Sequence, residues 1–501
     1  MHNGFTFEIG SKDRTSGFPG SLAEQFGIRS KILLILMAVF SLSLIYLSFK
    51  FGTGIAVVMI LVVLGIPFII HSVLNIQFGV KLAIIVSFFL IGAMRLIENF
   101  PLGILNDVMI SLLFISMFLR QITEKDWKFA KNPISYMILV WFLYVTIEAV
   151  NPNAGSRLAW VYTIRGMAGT MVMFFIISYA IKDVKFVKSL LSLWLILSFL
   201  AMLYGLSQEY IGLTPFDEKW IYEEEARVKL LFVMAHLRKF SFLADPAVFG
   251  FLMAYTGILS IILSFAVERK FLKYALVVNG ALMFLAMIYS GTRAAYIVIP
   301  AGAVFYVLLT LNKKAIAGVV ILVIGMIAVI NMPSNDPNIV RFQTAFFPER
   351  DPSYNVRAQN QKFIQPYIQN NPIGGGLGST GEWGKRFSPN SPLANFPPDS
   401  GFVRIAVELG PVGLFLYLAM LFVVFLKGIK DYVRIKDKKL KNYSAALLTA
   451  VFCLVVANFP QQAIQQIPTS LFFFMAIAVI NKLKDLDKAE TQKKTIQALG
   501  I

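Results

Sequence analysis

The sequence predicts an all-α integral membrane protein with many spans and one large loop outside the bilayer, and three observations lead there. Hydrophobic residues make up 57% of the 501-residue chain and charged residues only 15%, against about a quarter charged in soluble proteins. The apolar residues fall in runs of about 20, the length a helix needs to cross the hydrocarbon core. The net charge of +18 is gathered into short segments between those runs, as anchoring to anionic cytoplasmic lipid requires. The same distribution argues against a nucleic-acid partner.

In chain order, residues 1–29 are polar and carry no apparent cleavable signal peptide. About fourteen spanning helices are then expected, starting near Ser30, Gly52, Val80, Pro101, Pro133, Gly166, Val187, Leu243, Phe271, Ala294, Ala315, Gly401, Tyr443 and Ile467. Both termini are expected in the cytoplasm. That orientation puts the basic segments Arg120 to Lys131, Lys182 to Lys188, Arg269 to Lys273, Lys313-Lys314 and Lys427 to Lys441, with the tail 484–501, on the inside. The membrane domain then divides into a bundle over residues 30–332 and C-terminal spans over 401–483, with external loops 151–165, 212–242 and 333–400. The run from Asp217 to Glu225 reads as a solvated helical turn. The loop 333–400 is far longer than an ordinary connection and is the expected place for chemistry. Phe346-Phe347, a helix from Ser353 to Asn370 and the glycine run Pro372 to Gly378 argue that it is ordered. No internal repeat is visible.

A single cysteine, Cys453, lies inside an apolar run, and the only histidines are His2, His71 and His236. Disulfides, thiolate metal sites and a histidine-built metal centre are therefore not expected. Arginines are plentiful at the outer membrane ends: Arg157, Arg165, Arg238, Arg293, Arg341, Arg357, Arg386 and Arg404. A guanidinium stays charged and grips phosphate oxygens with a planar fork, so a lipid-linked diphosphate is a natural partner. Interfacial anchoring is the alternative for each. Arg293 stands apart, in the very short turn Ser290-Gly291-Thr292-Arg293.

Two patterns carry a family resemblance. Arg238 is followed after eleven residues by Gly250, with Asp245-Pro246 between them; Asp399 is followed after ten residues by Gly410, continuing Pro411-Val412-Gly413. Tyr204 to Gln208, the Ser-Gly-Thr-Arg turn, and Arg357 ahead of Pro372 to Gly378 support them. In this order the chain resembles the O-antigen ligase and O-antigen polymerase superfamily of bacterial envelope glycosyltransferases, over roughly residues 160–425. The resemblance implies a GT-C-type membrane enzyme in the bacterial cytoplasmic membrane. It implies a polyprenyl-diphosphate-linked glycan as donor and acceptor, with neither metal nor cofactor, and a chain-length regulator as a further partner. It carries functional roles onto Arg238 and Arg357, and puts Asp399 where ligases usually have histidine, which favours polymerase over ligase.

The chemistry can be argued without the family. Inverting transfer needs a base for the acceptor hydroxyl while a diphosphate leaves from the opposite face. Asp399 is a candidate base, with helix capping as its alternative. Arg293, Arg165, Arg404 and His236 are candidate binding residues, His236 also as a second base. Gly374 to Gly378 either wrap a phosphate or form a tight loop. Glu349-Arg350-Asp351 has metal-like spacing but also reads as solvated charge. A flippase of lipid-linked oligosaccharides is the competing class; charges at the outer rim, and not at the midplane, argue against it.

Overall fold

The computed structural model describes residues 65–96, 102–233, 236–347 and 352–498, with isolated positions between 39 and 49. The chain divides into two compact units, Met1–Phe68 and Ile69–Ile501, and the candidate site lies wholly in the second. The segment 1–29, most of the spans expected from Ser30 and Gly52, and Glu349-Arg350-Asp351 fall outside the described residues.

The protein is an all-α integral membrane protein. Eleven described helices are long and apolar enough to cross a bilayer, and they correspond one to one with the expected starts from Val80 to Tyr443. The final expected span, from Ile467, is a helix over Thr469–Ala498 whose first half is apolar and second half charged, so fourteen spans are not reached among the described residues. Helices are the necessary solution here, because hydrocarbon offers no partner to a free peptide group. Their starts are written locally. Asn132, Asp183, Asp245 and Ser400 each cap a span by accepting a backbone N–H, and proline at the first turn of Pro133–Ile147 and Pro246–Ser264 lacks the N–H that would otherwise be orphaned.

Pro246–Ser264 is buried along nearly its whole length and forms the centre of the bundle. Lys270–Tyr289, Lys438–Ala457 and Arg293–Thr310 pack around it. Lys313–Ile330 buries no residue and stands at the rim.

The loops differ from expectation in instructive ways. The segment expected as a loop to Arg165 turns helical at Arg157, with Ser156 as its cap. Residues 212–242 hold two short helices, Pro215–Tyr222 and Glu225–Leu231, and a two-residue strand pair. Asp217, expected in a solvated turn, is buried instead. It pairs with Arg95 at 3.4 Å and accepts from Tyr204 Oη at 2.7 Å and Gln208 Nε2 at 3.0 Å. Arg95 itself lies over the adjoining rings of Trp220 and Phe240 and donates to the Ser241 carbonyl at 3.0 Å. A buried pair of this kind is held by its extra hydrogen bonds, and it fastens the whole segment leading to Arg238.

Among its described residues the segment 333–400 holds helices Pro337–Thr344, Pro352–Asn370 and Gly381–Phe387; the second matches the helix expected from Ser353 to Asn370. Phe342 stacks on Tyr296 and on Phe346, tying the first of these to the bundle. Ile364, Leu393, Phe396 and Val407 form a small core of their own.

Candidate active site

Two close approaches, each permitted by a glycine, build the site. The first joins the Arg238 segment to the turn at Arg293. A Cβ on Gly250 would meet Ser290 Oγ at 2.5 Å and Thr292 Cβ at 3.0 Å, so the Pro246 helix lies directly against the Ser290-Gly291-Thr292 turn. Thr292 Oγ1 donates to the Pro246 carbonyl at 2.9 Å. Arg238 spans the same turn, donating from Nε to the Ser290 carbonyl at 3.2 Å and from its terminal nitrogens to Thr292 Oγ1 at 3.2 Å and the Leu230 carbonyl at 3.3 Å. Arg341 Nε donates to the Gly291 carbonyl at 3.0 Å. Gly291 has φ +56, and a Cβ there would press on Arg341 Nε at 3.1 Å. Gly250→Ala is therefore expected to push the helix off the turn, costing about 1–3 kcal/mol as overpacking does. A lowered unfolding temperature in detergent, together with lost activity, would be the readout.

The second approach joins the glycine run to a break in the helix Gly401–Arg434. Gly410 has φ 69 and ψ 178, and a Cβ on it would lie 2.1 Å from the Pro372 carbonyl oxygen. Val412 N–H donates to that carbonyl at 3.3 Å, and Gly375 N–H to the Val407 carbonyl at 2.9 Å. The run forms a tight loop, and the amide cradle holds a carboxylate of the protein itself. Glu408, buried, accepts from Gly378 N–H at 3.0 Å, Thr380 N–H at 3.4 Å and the Thr380 hydroxyl.

Between these joints lies a cavity of about 1050 Å³. Arg238, Arg293, Arg341 and Arg357 line it, with Asp399 the one carboxylate among its described lining residues. Arg357 Nε stands 3.8 Å from Asp399 Oδ2. Apolar residues also line the cavity, among them Ile297, Val455, Val456 and Phe459; Ile297 and Phe459 are exposed.

The electrostatics distinguish two ends. Burial, reinforced by Arg341 and then by Arg293, lowers the pKa of Arg238 to about 10, with Asp245 acting the other way. The guanidinium remains charged at neutral pH, so like charges are held together ready for an anion. Burial raises the pKa of Asp399, and Arg357 partly offsets this. The cap of the Gly401 helix is Ser400, which accepts from Val403 N–H at 3.4 Å; Asp399 does not cap it and faces the cavity.

Asp399, Arg238, Arg357 and Arg293 thus come together, and Arg341 joins them. Among the other candidates, Arg404 sits beneath the site. It donates to Glu408 Oε1 at 3.0 Å and to Gln462 Oε1 at 2.7 Å, while Gln462 donates to the Pro398 carbonyl. That chain fixes the backbone beside Asp399. Arg165 pairs with Asp107 at 3.0 Å on the spans. His236 faces Glu209, which Lys239 engages at 3.0 Å. Neither Arg165 nor His236 lines the cavity.

Fold and site together define a multi-pass membrane protein with a cationic cavity lined in part by apolar residues. Residues 278–418 match the family model described as O-antigen ligase, which supports the likeness to the O-antigen polymerase and ligase superfamily over that stretch. The matched stretch contains Arg293, Arg341, Arg357 and Asp399, while Arg238 precedes it. No curated protein matches the chain at a significant level.

Proposed function

We propose that this chain is a polymerase of polyprenyl-diphosphate-linked oligosaccharide repeat units, acting at the outer face of the bacterial cytoplasmic membrane. The observation that carries the reading is one cavity with clustered arginines, a partly buried carboxylate and apolar lining residues, of which Ile297 and Phe459 are exposed. An amphiphile with a diphosphate head and a hydrocarbon tail matches that lining in charge and polarity. In the reaction, Asp399 takes the proton of an acceptor hydroxyl as its oxygen bonds to the donor's anomeric carbon. The bond from that carbon to the diphosphate breaks, and the electron pair leaves with the diphosphate. Arg238, Arg293 and Arg341 receive the charge that develops there, which stabilises the transition state more than the ground state. Arg357 holds Asp399 in place.

Transfer of a finished glycan to a lipid or protein acceptor is the second reading, favoured by the description of the matching family. It differs in acceptor, and Asp399 stands where histidine would be expected for it. Surface glycan from a strain lacking this chain separates the two. Single repeat units left on the membrane lipid are the expected result; long unattached chains would make it a ligase.

Orientation rests on the basic connections, which alternate along the chain with those supplying the cavity. In a Cys453→Ala background, Glu224→Cys and Asn390→Cys, both at exposed positions, should react with an impermeant thiol reagent in spheroplasts. Lys438→Cys should not. Labelling of Lys438→Cys alone would put the cavity on the cytoplasmic side and end this reading.

A further inference from the structure

The end of the cavity around Asp399 contains uncharged groups that neither the arginine cluster nor the base requires. Gln361 lies one helical turn beyond Arg357 and lines the cavity, as does Gln461. Gln461 is held near Asp399 because its carbonyl accepts from Gly401 N–H at 3.3 Å. A smaller recess shares Arg357, Gln361 and Asp399 with the cavity and adds Asn360. Asn360 and Gln361 follow Arg357 by three and four residues, so all three occupy one face of the Pro352–Asn370 helix.

Among the described residues, none of these three carboxamide side chains has a hydrogen-bond partner in the protein. Three glutamines elsewhere are used structurally. Gln208 holds Asp217, Gln343 reaches the Val329 carbonyl, and Gln462 joins Arg404 to Pro398. A carboxamide offers donors and an acceptor together, with no charge. A sugar hydroxyl also both donates and accepts, whereas a diphosphate only accepts. The rings of Tyr354 and Phe402 in the same wall add apolar surface for the C–H face of a pyranose.

We propose that Gln361, Gln461 and Asn360 form a subsite for an uncharged sugar ring, the one carrying the attacking hydroxyl. It is separate from the diphosphate end at Arg238, Arg293 and Arg341. The proposal rests on the glycosyltransferase reading above and assigns the two ends of its cavity to different chemical groups.

The test uses the full chain, purified in detergent, and two probes. One is sugar-free undecaprenyl diphosphate. The other is the soluble oligosaccharide released from the lipid-linked units that accumulate in a strain lacking this chain. Gln361→Ala and Gln461→Ala should weaken oligosaccharide binding at least about tenfold, the worth of one or two neutral hydrogen bonds. They should leave binding of the lipid diphosphate within about twofold, which also reports that the variants are folded. Gln361→Glu, equal in size but lacking the amide donors, should behave as Gln361→Ala does. Arg238→Ala should show the reverse preference. Unchanged oligosaccharide binding in the glutamine variants, equal loss of both probes, or no oligosaccharide binding by the unsubstituted protein would overturn the subsite. Failure of the unsubstituted protein to bind the lipid diphosphate would instead remove the glycosyltransferase reading beneath it.

Discussion

Asp399→Asn should lower the rate of glycosyl transfer by roughly two to four powers of ten and leave the fold in place. Asparagine matches aspartate in size, and the capping that would confuse the result belongs to Ser400, so little structural cost is expected. A carboxamide cannot accept the proton of the acceptor hydroxyl. The pH dependence has a definite sign. The base is the ionised form, so activity falls as pH drops through the folded pKa of Asp399, which burial places above the ordinary carboxylate value. Arg357 holds that pKa down, so Arg357→Gln should move the acid limb to higher pH. Asp399→His supplies an imidazole with an ordinary pKa of about 6.5 and should recover part of the rate, with its acid limb higher still. A folded, fully active Asp399→Asn protein would sink the base assignment.

Much of this architecture could be read from the chain because it depends on local chemistry. Apolar length and basic connections place the spans, and the glycine spacings at Gly250 and Gly410 mark two close approaches, to the Ser290 and Thr292 side chains and to the Pro372 backbone. What the spacing did not show is what each glycine meets. Gly374 to Gly378 have the form of a phosphate loop, but the Gly374 and Gly375 amides donate to the Asn371 and Val407 carbonyls, and the Gly378 amide closes on Glu408, thirty residues away in the chain. Asp217 looks like one charge in a solvated acidic run, and only the fold brings Arg95 to it across 122 residues. Arg341 could not be told from an interfacial anchor in the sequence. It reaches the cavity because Phe342 and Phe346 dock its short helix on Tyr296. Arg165 and Arg404 share its residue type and membrane-end position yet end in ion pairs with Asp107 and Glu408. Arginine count and placement lead to the proposed class of ligand, whereas the choice among arginines is made by tertiary contacts.

Arg238→Ala should cost roughly two to three powers of ten in rate, as removal of a prearranged charge-stabilising donor does elsewhere. Arg238→Lys should still cost at least about tenfold. Of the five N–H donors of a guanidinium, three are engaged by Ser290, Thr292 and Leu230, which fixes the plane of the fork and leaves two donors for phosphate oxygens. A lysine ammonium restores the charge but has neither the plane nor the reach to hold the turn and the ligand together. Burial first, and then the neighbouring Arg341 and Arg293, lower the pKa of Arg238; a diphosphate bound among the three arginines would offset their mutual repulsion. Inorganic diphosphate should accordingly inhibit the unsubstituted protein and raise its unfolding temperature, and both effects should weaken in Arg238→Lys. If the lysine protein turns over at the normal rate and still responds to diphosphate, Arg238 serves only to brace the Ser290–Thr292 turn, and the charge on the leaving group must be met by Arg293 and Arg341 alone.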